Sequence, residues 1–204
     1  MPDIQLYELS PTRSVRCHWT LAEAGLAYTS LGNEVATIHS DAVKAVHPLG
    51  KLPAALIDGR PLFESAAICT AIADLVPEQG LVAPSGSWAR ALHDQWVCFA
   101  LTELEAWVWS SELNSDEFIL PADQHVTAII AQNTMWYRRG ADVLEQVLQK
   151  SDYLVDNRFS VTDIIVSYTV NWGHGLGWLE DYPQLQQYLQ RLRQREHCTL
   201  PVYT

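Results

Sequence analysis

A proline at the head of a short apolar run, Leu52-Pro53-Ala54-Ala55-Leu56-Ile57, constrains this chain more than any other feature. Proline has no N–H to give a sheet ladder, so it starts an edge strand or sits at a turn, and a cis bond there would leave the backbone of Leu52 open. Asp58-Gly59 follows, then Pro61 to Phe63. An Asp-Gly pair between apolar runs predicts a tight hairpin. Glu64-Ser65 then opens a helical pattern over Ser65 to Val76, with Ala66, Cys69, Ile72 and Ala73 on one side. Just upstream, His47-Pro48-Leu49-Gly50-Lys51 reads as a forced turn carrying one cation.

Taken singly, these are ordinary parts: an edge-strand proline, a solvated lysine, and a serine N-cap. In this order they form a cradle. An open strand edge pairs with an extended peptide, a helix N-terminus attracts a carboxylate, Lys51 adds a lone cation, and Glu64 suits an ammonium. The pattern suits a small, anionic, peptide-like ligand.

The rest of the first 76 residues extends this unit. Ile4 to Leu9 reads as a strand broken by Ser10-Pro11. Ser14 to Ala24 reads as a helix stopped by Gly25, Ala27 to Val35 as a second strand, and Asp41 to Val46 as a short helical turn closed by Pro48. The order is β-α-β-(short α)-β-β-α. Leu81 to Ser87 is rich in small residues and proline, and reads as a linker. Beyond it, glycine and strand signals fade. Helices are predicted over Trp88 to Glu112, Ala122 to Lys150, Ser160 onward and Tyr182 to Arg195. Ser160-Val161-Thr162-Asp163 spells a capping box, and Gly173 to Gly177 reads as a flexible connection. The division is therefore 1–80, a linker at 81–87, and an all-helical 88–204.

Thirteen Lys and Arg against 24 Asp and Glu leave a net charge of −11. So acidic a surface repels phosphate backbones and anionic headgroups, which argues against nucleic acid and membrane as partners. The first ten residues carry neither a basic nor a long apolar segment, so no signal peptide is expected. Cys17, Cys69, Cys98 and Cys198 are too widely spaced for a metal pair or a Cys-x-x-Cys pair, and read as reduced thiols of a cytosolic protein. His18, His93 and His174 show no ligand spacing, and no metal site is expected.

Several segments resemble the cytosolic glutathione transferases: Ser10-Pro11-Thr12-Arg13-Ser14-Val15-Arg16, Leu21 to Tyr28, His47 to Leu56, Glu64 to Ile68, Phe159 to Asp163 and Tyr182 to Leu185. The resemblance implies a thioredoxin-like domain followed by a helical bundle, a homodimer, and a bacterial-type protein with a serine-like catalytic turn. It implies that Lys51 neutralises the glycine carboxylate of glutathione. The backbone of Leu52, before Pro53, would pair with the cysteinyl unit, and Glu64 and Ser65 would hold the γ-glutamyl end. Ser10 matches the thiolate-stabilising position best, with Ser14 as the alternative. The absence of cysteine at Thr12 or Arg13 disfavours mixed-disulfide chemistry.

The implied activity is conjugation of glutathione, without metal, to a small hydrophobic electrophile in detoxification. Glutathione-dependent peroxide reduction or thiol transfer, and a non-catalytic binding role on the same fold, are the alternatives. Trp96, Phe99, Glu103 and Trp107 recur at one helical face, so Glu103 and Trp107 are expected to line the second-substrate cleft or a subunit interface.

Overall fold

The computed structural model describes residues 1–203. Four strands form one mixed sheet in the order β2-β1-β3-β4. They are β1 (Ile4–Tyr7), β2 (Thr29–Gly32), β3 (Ala54–Ile57) and β4 (Arg60–Phe63). β1 runs parallel to β2 and antiparallel to β3, which runs antiparallel to β4. The parallel pair needs a crossover, and α1 (Ser14–Ala24) supplies it. Ile4 and Leu6 alternate inward from β1. Asp58 and Gly59 both take positive φ, +49° and +74°, as a type I′ hairpin turn requires. Gly25 stops α1 in the left-handed region at φ +65°; its N–H meets Ala22 O, and Leu26 N–H reaches Leu21 O.

The thioredoxin-like unit is completed by α2 (Asp41–Lys44) and α3 (Ser65–Asp74). A stretch without regular helix or strand follows the short 3₁₀ turn Pro77–Gln79 and ends at α4 (Trp88–Phe99). The helical domain consists of α4, α5 (Ala106–Leu113), α6 (Ile129–Leu148), α7 (Val161–Gly175) and α8 (Pro183–Arg193). The predicted capping box opens α7. Ser160 N–H donates to Asp163 Oδ2 at 2.9 Å, and Thr162 N–H to Ser160 Oγ at 3.3 Å. Asp163 is fully buried and also accepts from Leu154 N–H and Tyr188 O–H.

The structure corrects three expectations. The helix read as Trp88 to Glu112 is interrupted by a π-helical stretch, Ala100–Glu105, which joins α4 to α5. The wide π turn puts Ala100, Leu104 and Val108 on the core side, one residue out of step with the predicted Trp96–Phe99–Glu103–Trp107 stripe. The helix read from Ala122 begins at Ile129, because Ala122–Gln124 is a separate 3₁₀ turn. Of the segment Gly173 to Gly177 read as a connection, Gly173 to Gly175 belong to the helix, and Leu176 and Gly177 form the turn after it. α7 runs through Gly173, and a Cβ there would lie 2.2 Å from the Tyr137 hydroxyl, so glycine is required by packing.

One continuous apolar core joins the two parts, from Leu6, Trp19 and Ile72 to Ile165, Leu144 and Tyr188. α1 is buried on almost every side, between α3 and α7. That placement puts polar α1 residues at the domain junction. His93 adds a second polar tie, linking Thr70 of α3 (3.0 Å) to Thr162 of α7 (2.9 Å). Cys17 and Cys69 are buried with their sulfurs 4.0 Å apart, both free thiols; Cys98 is exposed.

Candidate active site

Strand register assembles the site. Tyr7 pairs with Ala54, and Ala54 with Phe63. The end of β1, the start of β3 and the end of β4 therefore lie side by side. Ser10, Leu52-Pro53 and Glu64-Ser65 all belong to segments leaving the sheet at that one end. The Ser10–Pro11 and Leu52–Pro53 peptide bonds are both cis.

The turn before Pro53 is tied down. Leu49 N–H donates to His47 Nδ1 at 3.0 Å and Gly50 N–H to His47 O at 2.8 Å, while His47 packs its ring on Phe63 with centroids 4.8 Å apart. Gly50 sits at φ +63°, and a Cβ there would come within 3.0 Å of His39. These contacts leave Lys51 exposed beside buried Pro53.

Glu64 is exposed and takes φ +71°, a conformation costly for a residue with a Cβ and often found at ligand sites. Its side chain makes no capping bond, so the first N–H groups of α3 have no side-chain acceptor. Ser65 is buried, and its Oγ accepts from Arg16 Nη1 at 3.0 Å, which leaves the hydroxyl proton free for another partner.

The two candidate serines differ sharply. Ser10 is exposed, and its N–H donates to Asn33 Oδ1 at 3.0 Å. Ser14 is fully buried; its hydroxyl accepts Leu9 N–H at 3.0 Å and lies 3.3 Å from Thr12 Oγ1. Ser14 is thus enclosed within the turn that Ser10 faces outward from.

Sequence reasoning missed a charged network under this turn. Arg16 has no solvent exposure, yet all its donor nitrogens are used. Nε donates to Ile165 O at 3.0 Å, Nη1 to Ser65, and Nη2 to Glu105 Oε2 (2.5 Å) and Thr169 Oγ1 (2.7 Å). Arg13 Nε donates to the other Glu105 oxygen at 2.5 Å. The two guanidiniums hold the Glu105 carboxyl well down, at about 2, against the opposing effect of burial. A signal was available: Arg13 and Arg16 are three apart at a helix start, so they share a face. Their acidic partner, some ninety residues away, left no such mark.

Glu103 and Trp107 are not brought to the turn. Glu103 is exposed, and Trp107 stacks on Trp136 of α6 with centroids 6.0 Å apart. They stand two positions either side of Glu105, on the far side of the helix. The face toward α1 and α7 belongs instead to Glu105 and Trp109.

Residues 12–75 match the family model for the glutathione S-transferase N-terminal domain, and residues 137–196 that for the C-terminal domain, together more than half of the chain. The chain belongs to the glutathione S-transferase family. Lys51, Leu52, Pro53, Glu64 and Ser65 lie inside the first matched segment; Ser10 lies just before it. Among curated relatives, Protein LigF of Sphingobium sp. is 28% identical, covering 79% of this chain and 75% of its own. Glutathione S-transferase GstA of Escherichia coli O157:H7 is 25% identical, covering 89% of each.

Among solved structures, the glutathione transferase of Methylococcus capsulatus str. Bath superposes with a TM-score of 0.83 at 27% identity, covering 96% of this chain and 95% of its own. A sphingomonad glutathione S-transferase complexed with glutathione gives 0.80 at 25% identity, covering 95% of this chain and 94% of its own. The transferase fold, a thioredoxin-like domain followed by a helical domain, is common to them. Among the described residues no helix is long and apolar enough to cross a membrane, and no cluster of His, Cys, Asp and Glu has a metal-binding arrangement.

Proposed function

We propose that this protein is a glutathione transferase that joins the glutathione sulfur to a small hydrophobic electrophile. The observation that carries this reading is the convergence of Lys51, Leu52-Pro53, Glu64-Ser65 and Ser10 at one end of the sheet. Lys51 neutralises the glycine carboxylate, and the Leu52 backbone pairs with the cysteinyl unit. The free N–H groups at the start of α3, with the Ser65 hydroxyl, receive the γ-glutamyl carboxylate, while Glu64 holds its ammonium. Ser10, exposed at the turn, donates its hydroxyl hydrogen to the sulfur, which favours the thiolate, and the bound thiolate attacks the electrophile. Thiol transfer through a mixed disulfide is less well supported: the turn has no cysteine, and Cys17 is buried. The reading includes a metal-free, homodimeric, cytosolic enzyme, with its domains divided at 81–87.

The test is retention on immobilised glutathione, together with conjugation of a chloronitrobenzene by the wild type. Lys51→Ala combined with Ser65→Ala should abolish retention while the protein stays folded. Undiminished retention would remove the proposed site.

A further inference from the structure

Arg13 is the one member of the buried network that also reaches solvent. Its guanidinium sits in the corner between two indole rings, 4.9 Å from the centroid of Trp109 and 5.0 Å from that of Trp172. Stacking on indoles and the Nε bond to Glu105 fix its plane and direction. Its two terminal nitrogens donate to no protein atom among the described residues, and its side chain is 28% exposed. Glu105 accepts from Arg13 at Nε alone, and its second oxygen accepts from Arg16 and Thr169. Glu112 borders the same corner and interacts with Arg13 electrostatically, but the only hydrogen bond its carboxylate makes among the described residues is the one Oε1 accepts from the Trp172 indole N–H.

The position is as telling as the geometry. Arg13 stands three residues after Ser10. Trp172 lies one helical turn beyond Tyr168, whose hydroxyl donates to Pro11 O at 3.4 Å. Arg13 and Arg16 both pair with Glu105, and Glu112 faces Arg13 across the same corner, so the feature that marks Arg13 is the direction of its terminal nitrogens rather than the local charge count. A guanidinium whose terminal nitrogens lack protein acceptors is a fork shaped for a carboxylate.

We propose that Arg13 is a specificity residue of the second-substrate site: its terminal nitrogens bind a carboxylate on the electrophile, while Trp109 borders the flat apolar frame that carries it. The preferred substrates are then aryl or similarly flat electrophiles bearing a carboxylate, not wholly neutral ones. This rests on the transferase reading for its chemistry, but the anion site itself does not need turnover.

Two arms keep the ideas separate. In the first, calorimetry measures binding of 2-naphthoate and 2-naphthamide to the glutathione-loaded protein. The wild type should favour the carboxylate, and Arg13→Gln should weaken it about tenfold while changing the amide much less. Equal binding of acid and amide by the wild type, or equal losses for both in the variant, overturns the proposal. Should Arg13→Gln fail to fold, Arg13→Lys keeps the charge beside Glu105 but lacks the planar fork, and a smaller loss confined to the acid is expected.

In the second arm, 4-chloro-3-nitrobenzoate and its amide serve as electrophiles. The glutathione sulfur bonds to the ring carbon, and chloride leaves with the electron pair. The acid-to-amide ratio of kcat/KM should fall about tenfold in Arg13→Gln. An unchanged ratio overturns the proposal, as a purely structural Arg13 would lower both rates alike. Arg13-dependent binding without conjugation of either compound leaves the anion site standing and removes the transferase reading instead.

Discussion

Arg16 donates to the Ser65 hydroxyl at 3.0 Å from a guanidinium with no solvent exposure. The side chain proposed to receive the γ-glutamyl end of glutathione is therefore aimed by a residue of another helix. That residue is in turn held by Glu105, Thr169 and the Ile165 carbonyl. Binding on the sheet domain is thus coupled to the integrity of its junction with the helical domain.

Arg16→Met should expose this coupling. Removing one partner of a buried ion pair leaves Glu105 and Ser65 short of donors, at a cost of about 3 kcal/mol or more. For a chain of this size that lowers Tm by roughly 6–12 °C. The KM for glutathione should rise several-fold as the Ser65 hydroxyl loses its fixed direction. A thermal melt and glutathione saturation curves check both, and a fully stable variant would show that the network carries little.

Ser10→Ala and Ser14→Ala should separate chemistry from scaffold. Loss of an exposed donor to a developing anion lowers kcat by about 10²-fold with little change in Tm. Ser14→Ala removes the acceptor of Leu9 N–H, and should cost about 1 kcal/mol of stability. Thiolate absorbance of bound glutathione against pH provides the direct readout: its midpoint should rise in Ser10→Ala. A reversed pattern would transfer the catalytic role to Ser14.

Acid should loosen the domain junction through Glu105. Its carboxyl is held at about 2 when folded, below its ordinary value near 4.5. The folded state therefore binds fewer protons than the unfolded chain between those pH values. The stabilisation is fully present above about pH 4.5 and is lost as pH falls toward 2. Asp163 acts in the opposite sense, because burial raises it to about 6; its contribution is present below its ordinary range and is lost as pH rises toward 6. Denaturant titrations of wild type and Glu105→Gln from pH 5 to pH 2.5 check this. The variant should lose less stability over that interval, and parallel curves would contradict the assignment.

Gly173→Ala should be among the most damaging conservative changes. The added methyl would meet the Tyr137 hydroxyl at 2.2 Å and ring carbons at 2.3 and 2.8 Å. Tyr137 is fully buried, and its ring packs on Trp178, so it has little room to withdraw. Overpacking of this kind costs about 3 kcal/mol. Combining it with Tyr137→Leu should recover part of the loss; calorimetric melts of the three variants test the pair.

The sheet domain was largely legible because its signals are local. Asp58-Gly59 and Gly25 each act over a few residues and form the turn or cap their residue types favour, as does the Ser160–Asp163 box in the helical domain. The helical domain was less legible. A π stretch at Ala100–Glu105 has no spelling of its own, and it moved the buried line from Glu103 to Leu104 and Glu105. Gly173 looked like a hinge because glycine is permissive; the ring of Tyr137, thirty-six residues earlier, makes it a packing residue.

What the sequence determined by itself is therefore the cradle: the strand-heading Pro53, Lys51 in the turn before it and the helix start at Glu64-Ser65. Backbone chemistry within a few residues dictates each of these. The tertiary structure alone decided that Ser10 is open and Ser14 enclosed, and that Arg13 and Arg16 share Glu105. It alone left the Arg13 terminal nitrogens beside two indoles and without an acceptor among the described residues. The arginine contacts join groups about ninety or more residues apart in the chain, which meet only when α1 is enclosed between the sheet domain and the helices. The serines differ through the path of the turn itself, where Leu9 and Thr12 meet Ser14.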